Sequence, residues 1–119
     1  VTISNILATV QGTSQLIGLA KNGKVHAIED ITLSNIRLKM VPESTADKRA
    51  THAIHAEHVN GLKIEDVTID WSTEATEPKW QSAISLSSVQ ELELDDVTAR
   101  AGGNAPVFRL ESVQQAVIR

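Results

Sequence analysis

Leu62-Lys63-Ile64-Glu65-Asp66-Val67-Thr68-Ile69 decides how this chain is read, because its pattern returns at a nearly constant interval. The echoes are Val1-Thr2-Ile3-Ser4-Asn5-Ile6-Leu7-Ala8, Ile31-Thr32-Leu33-Ser34-Asn35-Ile36-Arg37-Leu38 and Leu92-Glu93-Leu94-Asp95-Asp96-Val97-Thr98-Ala99. The four copies begin at residues 1, 31, 62 and 92, at intervals of 30, 31 and 30, and a fifth begins at Ala116-Val117-Ile118. A fixed interval of this length marks a repeat architecture.

Within each copy the apolar residues advance by two, then three, then two: Leu62, Ile64, Val67, Ile69, with Trp71 one step further. Steps of two keep side chains on one face of a strand, and a step of three absorbs one extra residue at a bend and restores the inward phase beyond it. Asn5, Asn35, Asp66 and Asp96 stand at that bend. Short Asx side chains tolerate turn conformations and hydrogen-bond their own backbone, so the column is read as a structural bend ladder. A second pattern precedes three copies: Ile54, Ala56, Val59, then Ile84, Leu86, Val89, then Phe108, Leu110, Val113. One whole turn then reads two, three, three, two, three, two. No window sustains the alternating three and four of a helix. The expected fold is all-β, a right-handed parallel β-helix of about four coils, with three short strands per coil stacked at roughly 4.8 Å.

Composition fits that interior: aliphatic residues carry the core, with aromatic content of 3% and no Tyr. A net charge of −4 without a Lys/Arg cluster argues against a nucleic-acid partner, because phosphate recognition needs a concentrated basic surface. No run of 18 apolar residues is present, so no membrane-spanning helix is expected. The absence of cysteine removes disulfide and thiol chemistry. The chain opens on Val1, inside an apparent strand and without a signal peptide, which suggests one β-helix fragment, 1–119, belonging to something longer. Val1-Thr2-Ile3 and Ala116-Val117-Ile118 are expected to leave unpaired β edges, which makes end-to-end or edge self-association a possible partner mode.

Taken in order, coil one runs from Val1 to Val10, turns through Gln11-Gly12-Thr13-Ser14 and resumes at Ile17-Gly18-Leu19. Lys21-Asn22-Gly23-Lys24 then predicts a tight turn before Ile28 takes the part that Val59 and Val89 play later. Polar excursions follow the copies at 41–51, where Pro42, Ser44, Thr45 and Asp47 mark a loop, at 72–81, and more briefly at Gly102-Gly103-Asn104-Ala105-Pro106. All the length variation is assigned to this one corner, and in a solenoid such a face often meets ligands.

Four groups could carry chemistry. Asp66 and Asp96, one coil apart and flanked by Glu65, Glu93 and Asp95, fall near the carboxylate spacing of a retaining glycosidase, but Asn5 and Asn35 share the column, which favours a bend-former over an acid. His52, His55 and His58 crowd one strand with Glu57, yet their spacing matches no closed zinc site, so a solvated face is preferred and no metal is assigned. Trp71 continues the inward column of Val10, Met40 and Ala101. Trp80 reads either as a lid packed over the corner or as a sugar-stacking platform, in which case Trp80, Lys79 and His52 would bind substrate. Arg37 and Lys39 alternate on the outside of one strand, either solvating it or meeting an anionic ligand.

The phrases Ile28-Glu29-Asp30-Ile31-Thr32-Leu33-Ser34-Asn35-Ile36 and Val1-Thr2-Ile3-Ser4-Asn5-Ile6 resemble coils of bacterial family 28 glycoside hydrolases, the polygalacturonase-like enzymes. Ala53-Ile54-His55-Ala56-Glu57-His58-Val59-Asn60-Gly61-Leu62 and Ala105-Pro106-Val107-Phe108-Arg109-Leu110 look like the last coils of some members. The likeness covers nearly the whole chain, but through scaffold phrases that other β-helix proteins partly share. That family's catalytic signature combines Asn-Thr-Asp, an Asp-Asp pair, Gly-His-Gly and Arg-x-Lys. Neither Asn-Thr-Asp nor Gly-His-Gly occurs here, Asp95-Asp96 falls in the bend column, and Arg37-Leu38-Lys39 precedes it, so no catalytic residue is carried over. The resemblance implies a parent that hydrolyses pectin-type galacturonan by inversion, outside the cytoplasm (extracellular or periplasmic) and without a cofactor, with this chain as its non-catalytic C-terminal scaffold. The alternative is a carbohydrate-binding or self-assembling solenoid module.

Overall fold

Eight strands follow one another in the computed structural model, which describes residues 1–44 and 50–119: β1 (Thr2–Val10), β2 (Ser14–Ile17), β3 (Leu19–Lys21), β4 (Lys24–His26), β5 (Ile28–Met40), β6 (Ile54–Trp71), β7 (Ile84–Ala99) and β8 (Phe108–Ile118). No helix occurs among the described residues. The long strands pair in parallel in the order β1-β5-β6-β7-β8, and β2 joins the other leg of β6. Chain order equals stacking order, which makes the molecule a β-solenoid of about three turns, a parallel β-helix. Thr45 and Asp47, which helped mark the loop at 41–51, lie outside the described residues.

The register follows the repeat residue for residue: Leu33 pairs with Ile64 and Ile64 with Leu94, while Met40 pairs with Trp71 and Ile28 with Val59. Each expected step of three is made by one residue in the left-handed region. In β6 these are His58 (φ 56°), Gly61 (φ 83°) and Asp66 (φ 52°), so an 18-residue strand is folded at three single-residue corners. The neighbouring coils turn at the same heights, with Ser88, Glu91 and Asp96 in β7 and with Ser112 and Gln115 in β8. L-residues other than Asn, Asp and Gly pay for this conformation, and the parallel ladders on both sides hold it in place.

The Asx ladder forms a single file, with φ of 60°, 52°, 52° and 54° at Asn5, Asn35, Asp66 and Asp96. Asn35 Nδ2 donates to Asn5 Oδ1 at 2.7 Å. One coil on, Arg37 donates to the Asp66 carbonyl at 2.8 Å and to its carboxylate Oδ1 at 2.9 Å. Inward columns such as Ile31, Leu62, Leu92 and Leu33, Ile64, Leu94 are buried. Removing each such side chain from water contributes about 1.5–3 kcal/mol.

Coil one departs from expectation in two ways. Its second leg starts at Ser14 and turns inward at Leu16, which pairs with Ala56, whereas Ile17 and Leu19 are both exposed. Gly18 falls where the next coil has His58, as the Gly18 N–H to Glu57 carbonyl bond shows. The Asn22-Gly23 turn closes an antiparallel hairpin, β3 against β4, with φ of 54° and 74° at the two turn residues, the left-handed pair that two-residue hairpin turns require. That hairpin adds length at a second corner, so the variation is not confined to the excursion corner.

Candidate functional site

The excursion corner is built at the end of the column Val10, Met40, Trp71. The chain leaves the stack through backbone bonds laid one above another, Val41 N–H to the Val10 carbonyl and Ser72 N–H to the Met40 carbonyl. Trp71 is 2% exposed, and its indole Nε1 donates to the Arg100 carbonyl at 2.6 Å. The loop that follows returns over it. Trp80 is 3% exposed, with its ring 5.1 Å from that of Trp71 and tilted by 49°. Trp80 is therefore the lid of this corner, and its burial leaves no open face for a sugar ring. From above, the short loop of the next coil closes in: a Cβ on Gly102 would stand 2.6 Å from the Trp80 Cβ and 3.0 Å from the Trp71 ring, and one on Gly103 would stand 2.7 Å from the Trp80 carbonyl. Only glycine permits this approach.

His52 reaches the same corner from below. Gln81 N–H donates to the Thr51 carbonyl at 2.6 Å, and Ser82 N–H donates to His52 Nδ1 at 3.2 Å. A backbone N–H only donates, so this nitrogen carries no proton and the neutral ring is protonated on Nε2. Burial, the largest influence, lowers the His52 pKa from its ordinary value against an opposing contribution from the Ser82 backbone contact, and the charges of His55 and Arg109 act with burial; the direction of the bond itself, Ser82 N–H onto Nδ1, favours the neutral ring. Lys79 is exposed on the loop, with its backbone N–H directed to Glu77 Oε1 at 3.3 Å. Of the three residues considered for substrate binding, the structure thus ties Trp80 and His52 to one corner as packing and hydrogen-bonding elements.

On the face of β6, His55 Nδ1 lies 3.2 Å from the Ser85 hydroxyl, and Glu57 sits between His55 Nε2 at 3.6 Å and His58 Nε2 at 3.7 Å. The rings of His52 and His55 stack at 6.3 Å. No group of three His, Asp or Glu side chains is placed to hold a metal ion among the described residues.

A different surface emerges on the outer side of the leg between the Asx bend and the excursion corner. Leu7, Thr9, Arg37, Lys39, Thr68 and Asp70 line a shallow concavity of about 360 Å³. Thr68, Asp70, Thr98 and Arg100 continue it into a second of about 290 Å³. Arg100 donates to the Trp71 carbonyl at 2.8 Å and lies 3.7 Å from Asp70. Arg37 and Lys39 are legible in the sequence as an outward pair; Arg100 and Asp70 carry no motif of their own, although the two-residue period places them level with Lys39. The trough mixes three cations and one carboxylate with threonine hydroxyls, a chemistry suited to polyols and sparse anions.

No family model, curated protein or solved structure matches the chain.

Proposed function

We propose that these coils are non-catalytic scaffold of a polygalacturonase-like glycoside hydrolase acting on galacturonan. The bend column carries this reading. Its two acids and two amides share one left-handed backbone conformation, which accounts for all four residues without assigning an acid to catalysis. Asp66 is engaged by Arg37 through both its carbonyl and its carboxylate, a use that fixes a corner. The coil phrases quoted above supply the choice of family and substrate. The expected result is that the chain releases no reducing ends from polygalacturonate. Release that Asp96→Asn abolishes would overturn the proposal.

The trough favours one rival, direct binding of an acidic oligosaccharide without hydrolysis. Calorimetric titration with oligogalacturonides separates the two. Saturable binding weakened by Arg100→Ala and Lys39→Ala would replace the scaffold reading with a binding module, and flat titrations would exclude the rival.

A further inference from the structure

The loop that carries Trp80 is fastened to the stack at a point where a titratable side chain stands in for a backbone acceptor. Its return is held by Gln81 N–H on the Thr51 carbonyl and by Gly102 N–H on the Gln81 carbonyl, neither of which responds to pH. Between them and the next strand lies Ser82, 1% exposed, whose N–H is accepted by His52 Nδ1. We infer that His52 is a proton-sensitive latch on the Trp80 lid: its neutral ring holds the loop closed, and protonation of Nδ1 releases the segment ending at Ser82 and uncovers Trp71.

The chemistry at the bond has one direction. Protonation turns Nδ1 from an acceptor into a donor that faces another donor, and Ser82 is too deeply buried for its N–H to find water in place. Two groups cannot both point hydrogens into the same gap, so this contact breaks, and the latch assigns the movement to the loop. Among the described residues, the titratable or charged groups facing the ring are His55, stacked on it from the same strand region, and Arg109 from β8. Neither offers a negative charge that would stabilise the imidazolium where it stands. Glu57 is engaged further along the strand, with His55 Nε2 and His58 Nε2. The lid itself has the features of an openable element: it is a loop, and its buried anchor is one indole between a second indole and two glycines. The strands beneath it stay paired in parallel on both sides, so opening at this corner leaves the stack standing.

The sign follows from linkage. The folded, closed form holds His52 neutral, so closure is fully favoured above the ordinary histidine range and is lost as pH falls through the lowered value. Between the ordinary value of the open form and the lowered value of the closed form, each pH unit shifts the open-to-closed ratio by at most about tenfold, since one proton is involved, and below the lowered value the ratio levels off.

Both tryptophans of the chain sit in this corner, so their emission and acrylamide quenching report on it directly. In a titration of the whole chain from about pH 8 to about pH 5, we expect a reversible red shift and increased quenching, with unchanged far-UV circular dichroism. His52→Asn, which keeps an acceptor for Ser82 but does not titrate, should remain closed throughout. His55→Asn should retain the transition. His52→Ala should be quenched at the upper pH already; if it fails to fold, His52→Gln makes the same comparison as the Asn variant. A transition that persists in both His52→Asn and His52→Gln, one that coincides with loss of β signal, or no transition in the parent chain would each overturn the latch.

Discussion

Asp66 separates the two meanings that an acidic column could have, and its replacement by Asn or by Val gives different arithmetic under each. Its φ of 52° is tolerated by Asn nearly as well as by Asp, whereas a β-branched residue there incurs about 1–2 kcal/mol. The ion pair with Arg37 joins side chains that are 40% and 48% exposed, so solvent screening limits it to about 0–1 kcal/mol. Asn keeps an oxygen for the guanidinium, and the Arg37 bond to the Asp66 carbonyl survives either change. Asp66→Asn should therefore lower stability by about 0.5 kcal/mol or less, and Asp66→Val by about 1–3 kcal/mol. At roughly 4 °C per kcal/mol for a chain of this size, thermal unfolding followed by far-UV circular dichroism should show the Val variant about 4–12 °C below the parent, with Asn within about 2 °C of it. Equal losses in the two variants would mean that the column is kept for its charge, and the reading of it as a bend ladder would fail.

Other expectations follow from the packing. Ile64→Ala removes a fully buried side chain between Leu33 and Leu94 and should cost about 2–5 kcal/mol in urea denaturation. Gly102→Ala drives a methyl into Trp80 and Trp71; a loss of about 1–3 kcal/mol with altered tryptophan emission is expected, and a neutral result would show that the two loops do not touch. Glu65, 3.2 Å away, raises the Lys63 pKa through its hydrogen bond and charge, with Glu93 and then Asp95 adding to it. Because the folded value is raised, the contribution is complete below the ordinary lysine range and disappears as pH rises through the folded value; Lys63→Met should flatten that part of a stability-versus-pH profile.

The sequence spoke most clearly where one residue satisfies two demands at once. The step pattern fixes the inward phase, and a single left-handed residue supplies each step of three, so the coils, their register and the Asx corner could be read directly. The other two corners were visible as steps but not as residue types. His58, Ser88 and Ser112 share one, and Asp30, Gly61, Glu91 and Gln115 share the other, a mixture that no turn preference would select. Their conformation is imposed by the ladders above and below, which local propensity does not contain. Coil one misled for a related reason. Ile17 and Leu19 look like core residues, but the hairpin between Gly18 and Ile28 breaks the count, and only the alignment of Leu16 with Ala56 restores it. Side-chain partnerships across coils, such as Ser82 with His52, depend on loop paths that the repeat does not describe.

The excursion corner is where the repeat relaxes its rule, and volume explains how it does so. Up the column the side chains grow from Val10 to Met40 to Trp71, while coils stack at a fixed spacing of roughly 4.8 Å set by backbone hydrogen bonds. A larger residue therefore cannot be accommodated by raising the next coil; it must be offset sideways by loop and above by absence. The loop at 72–81 supplies Trp80 to cover Trp71 laterally, and the following coil replaces a long excursion with Gly102 and Gly103, whose missing side chains leave the room that the two indoles occupy. The lengths of successive loops are thus coupled. Restoring bulk at Gly102 without shortening Trp80 should open the corner, and Trp80→Leu combined with Gly102→Ala should recover part of the loss that Gly102→Ala alone produces. Additive effects in that double-mutant cycle would show that the two loops are independent, and the coupling inferred from their contact would have to be given up.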